Sequence, residues 1–197
     1  MRRFKDTLSS LNCDGRYGLG LLVLWGVLLL PAAGGLPLRD LLRYQRSAVL
    51  HGDLWRLVSA HFVHLDLEHA VLNAVGATLM WALFARDFRP GQWLWIALTA
   101  LVTIDAGVLL WQPDLQWYVG SSGVLHGVMA AGTLAQLQRK DPVSVLLLLF
   151  LVTKLAYEQL FGALPFQTQG TVVVSAHLYG AMGGGFMALL LNRYNAA

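Results

Sequence analysis

A serine set between glycines opens the fourth apolar run of this chain. The stretch Tyr118–Gly127 contains Ser122, whose hydroxyl has no obvious packing purpose at the start of an apolar helix-length segment. A serine becomes a good nucleophile when a neighbouring base removes its proton, and a neutral imidazole near pH 7 suits that task. The sixth apolar run carries such a group, His177. The two side chains predict acyl-transfer chemistry if the fold brings them together.

An acyl transfer also needs hydrogen-bond donors for the oxyanion that develops on the attacked carbonyl. His69 and Asn73 lie four residues apart in the second apolar run, on one face of a helix, and both side chains can donate. The backbone amide of Ser122 is a third candidate. An equally simple interpretation is that His69 and Asn73 bind neighbouring helices together.

Glycines accompany both Ser122 and His177 and offer a competing explanation for the serine segment. They are Gly120, Gly123, Gly127 and Gly132 in the fourth run and Gly180 and Gly184 in the sixth. Small residues at such spacings allow membrane helices to pack closely, and taken alone the serine segment is better explained by packing. A histidine in a span is costly and is a functional candidate by default. Ser122 and His177 each lie about 5 to 10 Å below the same surface at about 1.5 Å per residue, so we expect a hydrogen-bonded pair.

The composition indicates a membrane protein. Of 197 residues, 56% are hydrophobic and 13% charged, and the mean hydropathy of +0.56 lies outside the range of soluble domains. At about 20 apolar residues per span the chain holds about six helices and leaves no room for a separate soluble domain. The single cysteine, Cys13, excludes an intrachain disulfide. The net charge of +3 is spread over short loops and does not indicate nucleic-acid binding.

Six apolar runs predict an all-α membrane bundle, because a lipid-facing backbone must satisfy its own hydrogen bonds. We expect a single domain over 1–197, with a cytoplasmic N-terminal segment at 1–16 and a long outer loop at 37–64 that carries short interfacial helices. The predicted spans are Tyr17–Leu36, Leu65–Phe84, Trp93–Trp111, Val119–Leu137, Val143–Phe161 and Thr171–Leu191.

The distribution of basic residues predicts the orientation of these spans. With both termini cytoplasmic, nine basic residues lie inside and four outside, which agrees with the positive-inside bias. The inner set is Arg2, Arg3, Lys5, Arg16, Arg86, Arg89, Arg139, Lys140 and Arg193, and the outer set is Arg39, Arg43, Arg46 and Arg56. This orientation places the long first loop, Ser122 and His177 on the same outer side.

Three ionisable residues fall within predicted spans: Asp105, Lys154 and Glu158. A charge near the bilayer centre costs at least about 2.5 to 3.5 kcal/mol on insertion scales, so these groups should pair or face water. Because their estimated depths agree, we expect one buried network of all three. Its role is either structural or in substrate recognition beside the fifth span.

The six histidines do not predict a metal site. They are His51, His61, His64, His69, His126 and His177. The stretch around Glu68 and His69 lacks the second histidine of a zinc-protease helix. We therefore expect neither a metal nor a cofactor. His126 is expected to be a packed or lumen-facing side chain and not a second base, and Ser121 is expected to be a polar neighbour of Ser122.

Taken together in this order, four motifs resemble the rhomboid family of intramembrane serine proteases. The motifs are Trp55-Arg56, His69-xxx-Asn73, Gly120-Ser121-Ser122-Gly123 with Gly127, and His177-xx-Gly180-xxx-Gly184, and the resemblance covers about Trp55 to Leu191. It implies a six-helix rhomboid-like bundle that uses a serine–histidine dyad, without a third carboxylate. Ser122 would be the nucleophile and His177 the general base and acid. His69, Asn73 and the Ser122 amide would be oxyanion donors, and His64 would be structural.

The fifth span departs from a generic rhomboid. Its Lys154, Glu158 and Gln159, with Tyr157 between them, are similar to the pattern of the rhombosortase subgroup. That resemblance implies a protease of the bacterial inner membrane whose active site opens to the periplasmic or extracellular side. Its substrates would be exported proteins with a C-terminal signal made of a Gly-Gly motif, one membrane helix and a basic end.

Three other functions remain open from the sequence. The chain could be a general rhomboid protease with other membrane-anchored substrates, or a rhomboid-like protein that binds membrane helices without cutting them. Loss of the serine or histidine would mark the second class, and this chain keeps both. A small transporter is favoured only by Asp105, Lys154 and Glu158, and the absence of inverted repeats counts against it.

Overall fold

The computed structural model describes residues 11–12, 14–163 and 172–195, with side chains described as far as 191. The described chain is mainly helical. The α-helices are α1 (Gly18–Leu29), α2 (Gly35–Leu42), α3 (Arg46–Leu50), α4 (Trp55–Ser59), α5 (Leu67–Phe84), α6 (Pro90–Trp111), α7 (Ser122–Gln138), α8 (Pro142–Phe161) and α9 (Val174–Asn195). Short 3₁₀ turns occupy Leu30–Gly34 and Ala60–Phe62, and two short strands are β1 (Tyr44–Gln45) and β2 (Trp117–Tyr118).

Five stretches of the described chain are long and apolar enough to cross a membrane: Gly18–Leu42, Leu67–Phe84, Pro90–Trp111, Pro142–Phe161 and Val174–Leu191. They confirm the predicted all-α membrane architecture. The first apolar stretch is longer than predicted, because the chain continues from α1 through a 3₁₀ turn into α2. The start of the sixth predicted span at Thr171 lies outside the described residues, as do Cys13 and most of the N-terminal segment.

Helix α7, which corresponds to the predicted fourth span, is shorter than each of these five stretches. Its 17 residues extend about 25 Å at about 1.5 Å per residue, at the lower limit for a span. Most of its second half is buried against other helices, including Ala131 and Thr133, which have no exposed surface. The structure therefore makes α7 the central helix of the bundle, and its crossing of the bilayer stays a prediction.

Local sequence signals explain where the long helices begin. The Asp66 carboxylate accepts a hydrogen bond from the backbone N–H of His69 at 2.8 Å and caps α5. The Asp141 carboxylate does the same for Val143 at 2.9 Å at the start of α8. Side-chain caps of this kind satisfy backbone donors that have no partner within the helix. The cap at Asp66 sets the position of His69 on the first turn of α5.

Helices α7 and α9 approach so closely that their facing glycines have no room for a side chain. A Cβ atom on Gly180 would lie 2.0 Å from the carbonyl oxygen of Gly123, and one on Gly184 would lie 2.2 Å from that of Gly127. The close contact of small-residue faces predicted from the sequence is present. It brings the first turn of α7 beside the first turn of α9.

A two-stranded sheet connects the first loop, which contains β1, to the segment before α7, which contains β2. Strands β1 and β2 are antiparallel, with Tyr44 opposite Tyr118 and Gln45 opposite Trp117. The Gly120 N–H also donates to the carbonyl of Ala60 at 2.9 Å. The sequence did not predict these strands, since two residues are too few to show an alternating pattern.

Candidate active site

Ser122 is the first residue of α7, and His177 lies in the first turn of α9. The Ser122 Oγ is 2.9 Å from the His177 Nε2, within hydrogen-bonding distance. The close approach of the two helices produces this contact, because it places their N-terminal turns side by side. The geometry permits proton transfer from the hydroxyl to the imidazole.

The second nitrogen of His177 contacts a carboxylate. Its Nδ1 is 2.8 Å from the Glu158 Oε2, and both side chains are only 1% exposed. The other carboxylate oxygen of Glu158 accepts a hydrogen bond from the Lys154 ammonium at 2.5 Å. A continuous chain of polar contacts thus runs from Lys154 through Glu158 and His177 to Ser122.

The predicted single network of Asp105, Lys154 and Glu158 is wrong. Asp105 instead accepts a hydrogen bond from the Tyr118 hydroxyl at 3.2 Å and lies 3.3 Å from the His61 Nε2. Matching depth along two helices does not fix the direction in which their side chains point. Asp105 on α6 faces the loop segments, whereas the α8 pair faces α9. The contact of Glu158 with His177 was missed, although an ion pair at i, i+4 spacing within a span indicated that α8 has a polar face.

Ser122 and His69 line two cavities, each of about 250 Å³. Asn73 lines one of them, as do His126 and Lys154. Through these cavities the Ser122 hydroxyl can be reached from the side on which the two candidate oxyanion donors, His69 and Asn73, also lie. The structure therefore places His69 and Asn73 beside Ser122.

In the favoured tautomer of His69, the ring N–H points toward the turn at Gly120–Ser122, which we call the serine turn. Its Nδ1 accepts a hydrogen bond from the Leu65 N–H at 3.4 Å, so the proton resides on Nε2. That Nε2 is close to Gly120, where an added Cβ would lie 3.3 Å from it and 3.0 Å from Cε1. Asn73 donates one amide hydrogen to the carbonyl of His69 at 2.9 Å, which leaves its second hydrogen for another acceptor.

Gly120 is required for two reasons. Its φ of 118° lies in the region that side chains rarely adopt, and an added Cβ would crowd the His69 ring. The turn it makes brings Ser121 and Ser122 to the N-terminus of α7. Backbone N–H groups in that first turn have no acceptor within the helix, so they are free to bind an anion.

Ser121 has its own histidine partner. Its Oγ is 3.3 Å from the His64 Nε2, and the His64 ring meets the His69 ring edge-on with centroids 5.1 Å apart. Burial, and next the charge of His69, lowers the pKa of His64 from 6.5 to about 4, so the ring is neutral at pH 7. His64 thus supports both the serine turn and the His69 ring.

We expect His64 to make stability depend on pH. Its folded pKa of about 4 lies below the ordinary 6.5, so its neutral form is favoured by folding. The stabilisation is complete above pH 6.5 and is lost as the pH falls toward 4. His64→Gln should therefore reduce the loss of thermal stability between pH 7.5 and 4.5 in detergent micelles. His51→Gln, at an exposed histidine, is the control and should leave that loss unchanged; equal losses in all three proteins would contradict the prediction.

Trp55 and Arg56 lie in the loop helices, and neither lines the cavities at Ser122. The Arg56 Nε donates to Asp53 at 2.9 Å, and its Nη1 donates to the carbonyls of Asp40 and Arg43, each at 3.1 Å. Arg56 thereby joins α4 to α2. The Trp55 side chain is 51% exposed. The contacts made by Arg56 are those of a residue that organises the loop.

His126, Glu158 and His177 offer three potential metal-ligand atoms within 4.8 Å of one another. The two imidazole rings, however, are stacked with centroids 4.2 Å apart and planes 14° apart, so their in-plane lone pairs do not converge on one point. The His126 Nδ1 donates to the Ser122 carbonyl at 2.7 Å, and both His177 nitrogens contact protein groups. The cluster is therefore better described as a hydrogen-bonded chain beside Ser122.

The candidate residues all lie within the part of the chain that matches a known family. The Rhomboid domain matches residues 51–194, well over half of the sequence. The chain belongs to the rhomboid family. Members of this family are intramembrane proteases, and the apolar helices of this rhomboid make it a multi-pass membrane protein. The family resemblance inferred from the motifs is confirmed.

A bacterial relative extends the match toward the N-terminus. This rhomboid is 23% identical over 168 residues to the Bacillus subtilis protein named "Putative rhomboid protease YdcA". The alignment covers 85% of this chain and 82% of that relative. The similarity therefore includes most of the length of both proteins.

Proposed function

We propose that this rhomboid is a serine endopeptidase in which Ser122 is the nucleophile and His177 is the general base and then the general acid. The observation that carries the proposal is the 2.9 Å contact between the Ser122 Oγ and the His177 Nε2. The Oγ attacks the scissile carbonyl while Nε2 takes its proton, and the imidazolium then protonates the leaving amine. Water, activated by the same imidazole, hydrolyses the resulting ester.

The oxyanion would be stabilised by donors beside the serine. The candidates are the Ser122 N–H at the start of α7, the Nε2–H of His69 and the second amide hydrogen of Asn73. Removing one such donor costs about 10²–10³ in kcat in other serine hydrolases. The other polar residues near the serine turn, Ser121 and His64, would hold this turn and the His69 ring in position.

We expect His69→Ala to lower kcat by about 10²-fold or more with little change in KM, because the lost hydrogen bond forms mainly in the transition state. Steady-state cleavage of a peptide substrate by detergent-solubilised protein measures this effect. Glu68→Gln, an exposed neighbour on the same helix turn, should cleave at the wild-type rate. An unchanged kcat in His69→Ala would remove this residue from the oxyanion site.

The proposed substrate is a membrane-anchored protein whose C-terminal signal contains Gly-Gly, a transmembrane helix and a basic end. A substrate helix must unwind locally to expose its carbonyl, and glycine lowers the cost of unwinding. This assignment derives from the similarity of the fifth span to the rhombosortase pattern. In support, the Lys154–Glu158 pair from that span lies beside the proposed active site.

The proposal includes a location and an orientation. The protein would lie in the bacterial inner membrane as six spans with both termini cytoplasmic, and Ser122 would open to the outer side. The positive-inside distribution of basic residues supports this orientation. Lipid and the membrane-anchored substrate would be its partners.

The test is cleavage of a purified substrate that ends in Gly-Gly, a membrane helix and basic residues, by wild type and Ser122→Ala in liposomes. A second substrate carries Leu-Leu in place of Gly-Gly, and a third is an ordinary membrane-anchored rhomboid substrate. Cleavage of the first alone supports the full proposal. Cleavage of the third but not the first leaves a general rhomboid protease. Binding of substrate helices without any cleavage indicates the non-catalytic alternative, and cleavage by Ser122→Ala contradicts the mechanism.

A further inference from the structure

Glu158 of α8 lies on the side of the His177 ring opposite Ser122. We propose that Glu158, held by Lys154, is a positioning residue that fixes the tautomer of His177; this rests on the proposed function and extends it from a dyad to a carboxylate-supported site. The relevant distances are 2.8 Å from the Glu158 Oε2 to the His177 Nδ1 and 2.9 Å from the His177 Nε2 to the Ser122 Oγ.

The tautomer follows from the chemistry of the two partners. An ionised carboxylate only accepts hydrogen bonds, so the His177 Nδ1 must carry the proton that it shares with Glu158. The Nε2 of a neutral imidazole then has a free lone pair, and this atom faces the Ser122 hydroxyl. The opposite tautomer would present an N–H to the serine and could not accept its proton.

Lys154 completes the arrangement from the other side of the carboxylate. Its Nζ is 2.5 Å from the Glu158 Oε1, which leaves Oε2 for His177. Glu158 is 1% exposed, and an ionised group so deeply buried needs a counter-charge and hydrogen bonds. The ammonium supplies both and sets which oxygen faces the imidazole.

The carboxylate takes no proton in the proposed reaction. As the bond from the Ser122 Oγ to the substrate carbon forms, the hydroxyl proton moves to the His177 Nε2 and the carbonyl electrons move onto oxygen. The resulting imidazolium is stabilised by the adjacent Glu158. When the carbon–nitrogen bond breaks, the same proton passes to the leaving amine and His177 returns to its neutral form.

A purely structural role is the competing explanation. Lys154 and Glu158 are an i, i+4 pair on one helix and would neutralise each other in apolar surroundings wherever they pointed. That role accounts for the contact within α8, but it does not require the second carboxylate oxygen to meet a histidine on α9. It predicts a loss of stability on substitution and no effect on the histidine tautomer.

Glu158→Gln separates the two roles because Lys154 controls how the new amide is oriented. The ammonium can only donate, so it holds the amide oxygen and turns the amide NH₂ toward His177. The Nδ1 must then accept, and the proton moves to Nε2. We expect kcat to fall by about 10⁴-fold with little change in KM, as when the carboxylate of a serine-protease triad becomes an amide.

A second substitution should partly reverse this loss. In Glu158→Gln with Lys154→Met, the amide is free to turn its oxygen toward Nδ1, and the productive tautomer returns. We expect the double variant to be at least about 10-fold more active than Glu158→Gln, in the manner of coupled residues in a mutant cycle. Glu68→Gln is the matched control for the same chemical change at an exposed site.

The tautomer is read directly by ¹⁵N NMR of histidine-labelled full-length protein in micelles, with His177→Ala used to assign the signal. We expect a protonated Nδ1 in wild type and a protonated Nε2 in Glu158→Gln. An unchanged tautomer, or equal inactivity of Glu158→Gln and the double variant, overturns the inference and leaves a structural pair. Failure of the proposed function shows instead as no cleavage by wild type or as cleavage by Ser122→Ala, and the NMR result still decides the role of Glu158.

Discussion

Ser122→Ala and His177→Ala are each expected to reduce substrate cleavage by at least about 10⁴-fold, and the double variant should be no worse than either single variant. When two residues act together in a single step, removing either one already abolishes their joint contribution. The free-energy losses of the two substitutions therefore do not add. Here the unit is the proton transfer across the 2.9 Å contact between the two side chains. Cleavage rates of the three variants and wild type in liposomes measure it.

The fold should survive these substitutions. Ser122→Ala removes one hydroxyl at the start of α7 and leaves the glycine contacts of that helix intact. Thermal unfolding in micelles checks this, and Ser47→Ala, at an exposed serine, serves as the control with wild-type activity. Additive losses in the double variant would contradict a shared role, because they would mean that the two side chains act in separate steps.

Gly180→Ala is expected to cause a large loss of stability. The new Cβ would lie 2.0 Å from the Gly123 carbonyl oxygen, a backbone atom that cannot move aside alone. Overpacking typically costs about 1–3 kcal/mol, and a backbone clash at a central helix contact should reach or exceed that range. The shift of α9 away from α7 should also separate His177 from Ser122 and lower activity.

Gly185→Ala is the matched control on the same helix. Its added Cβ would lie 3.5 Å from a Leu134 methyl and 3.8 Å from the Ala130 Cβ, and both are ordinary contacts. We expect this change to be neutral or stabilising by up to about 1 kcal/mol, since alanine favours the helix over glycine. Denaturant titration in mixed micelles compares the two variants with wild type. Equal stability of Gly180→Ala and Gly185→Ala would contradict the close contact of α7 with α9.

The sequence was sufficient to predict the contact of Ser122 with His177. Each residue lies in the first turn of a glycine-lined helix, and counting residues from the predicted span starts gave both the same depth. The small-residue faces then left one way for those helices to meet. For these two residues, the spacing along the sequence indicated both the depth of the side chain and the helix face on which it lies.

For the charged residues, the sequence did not indicate the direction in which each side chain points. The predicted network of Asp105, Lys154 and Glu158 was therefore wrong. Asp105 has the same estimated depth as Lys154, but its hydrogen-bonding partners are His61 and Tyr118 and not the α8 pair. Those partners come from loop segments whose position depends on the pairing of β1 with β2. A hydropathy pattern reports the ends of a span and not its rotation about its own axis, so the contact of Glu158 with His177 also escaped prediction.

The fixed contacts of Asp105 bear on the transporter alternative. A transport pathway requires polar groups that can reach water or substrate near the bilayer midplane. Asp105 is buried and its hydrogen-bonding partners are two protein side chains, while Glu158 is held between Lys154 and His177. These contacts favour a protease in which the charged residues support loops and a reactive histidine.

His177 is proposed to activate Ser122 as a nucleophile, and covalent labelling of the serine tests that claim. Full-length protein in micelles is treated with a serine-reactive fluorophosphonate, and the adduct is located by mass spectrometry after digestion. We expect one adduct, on Ser122, which forms at a rate that falls at least about 10²-fold in His177→Ala. An adduct on Ser121 or another residue, or labelling of Ser122 at the same rate without His177, would contradict the claim.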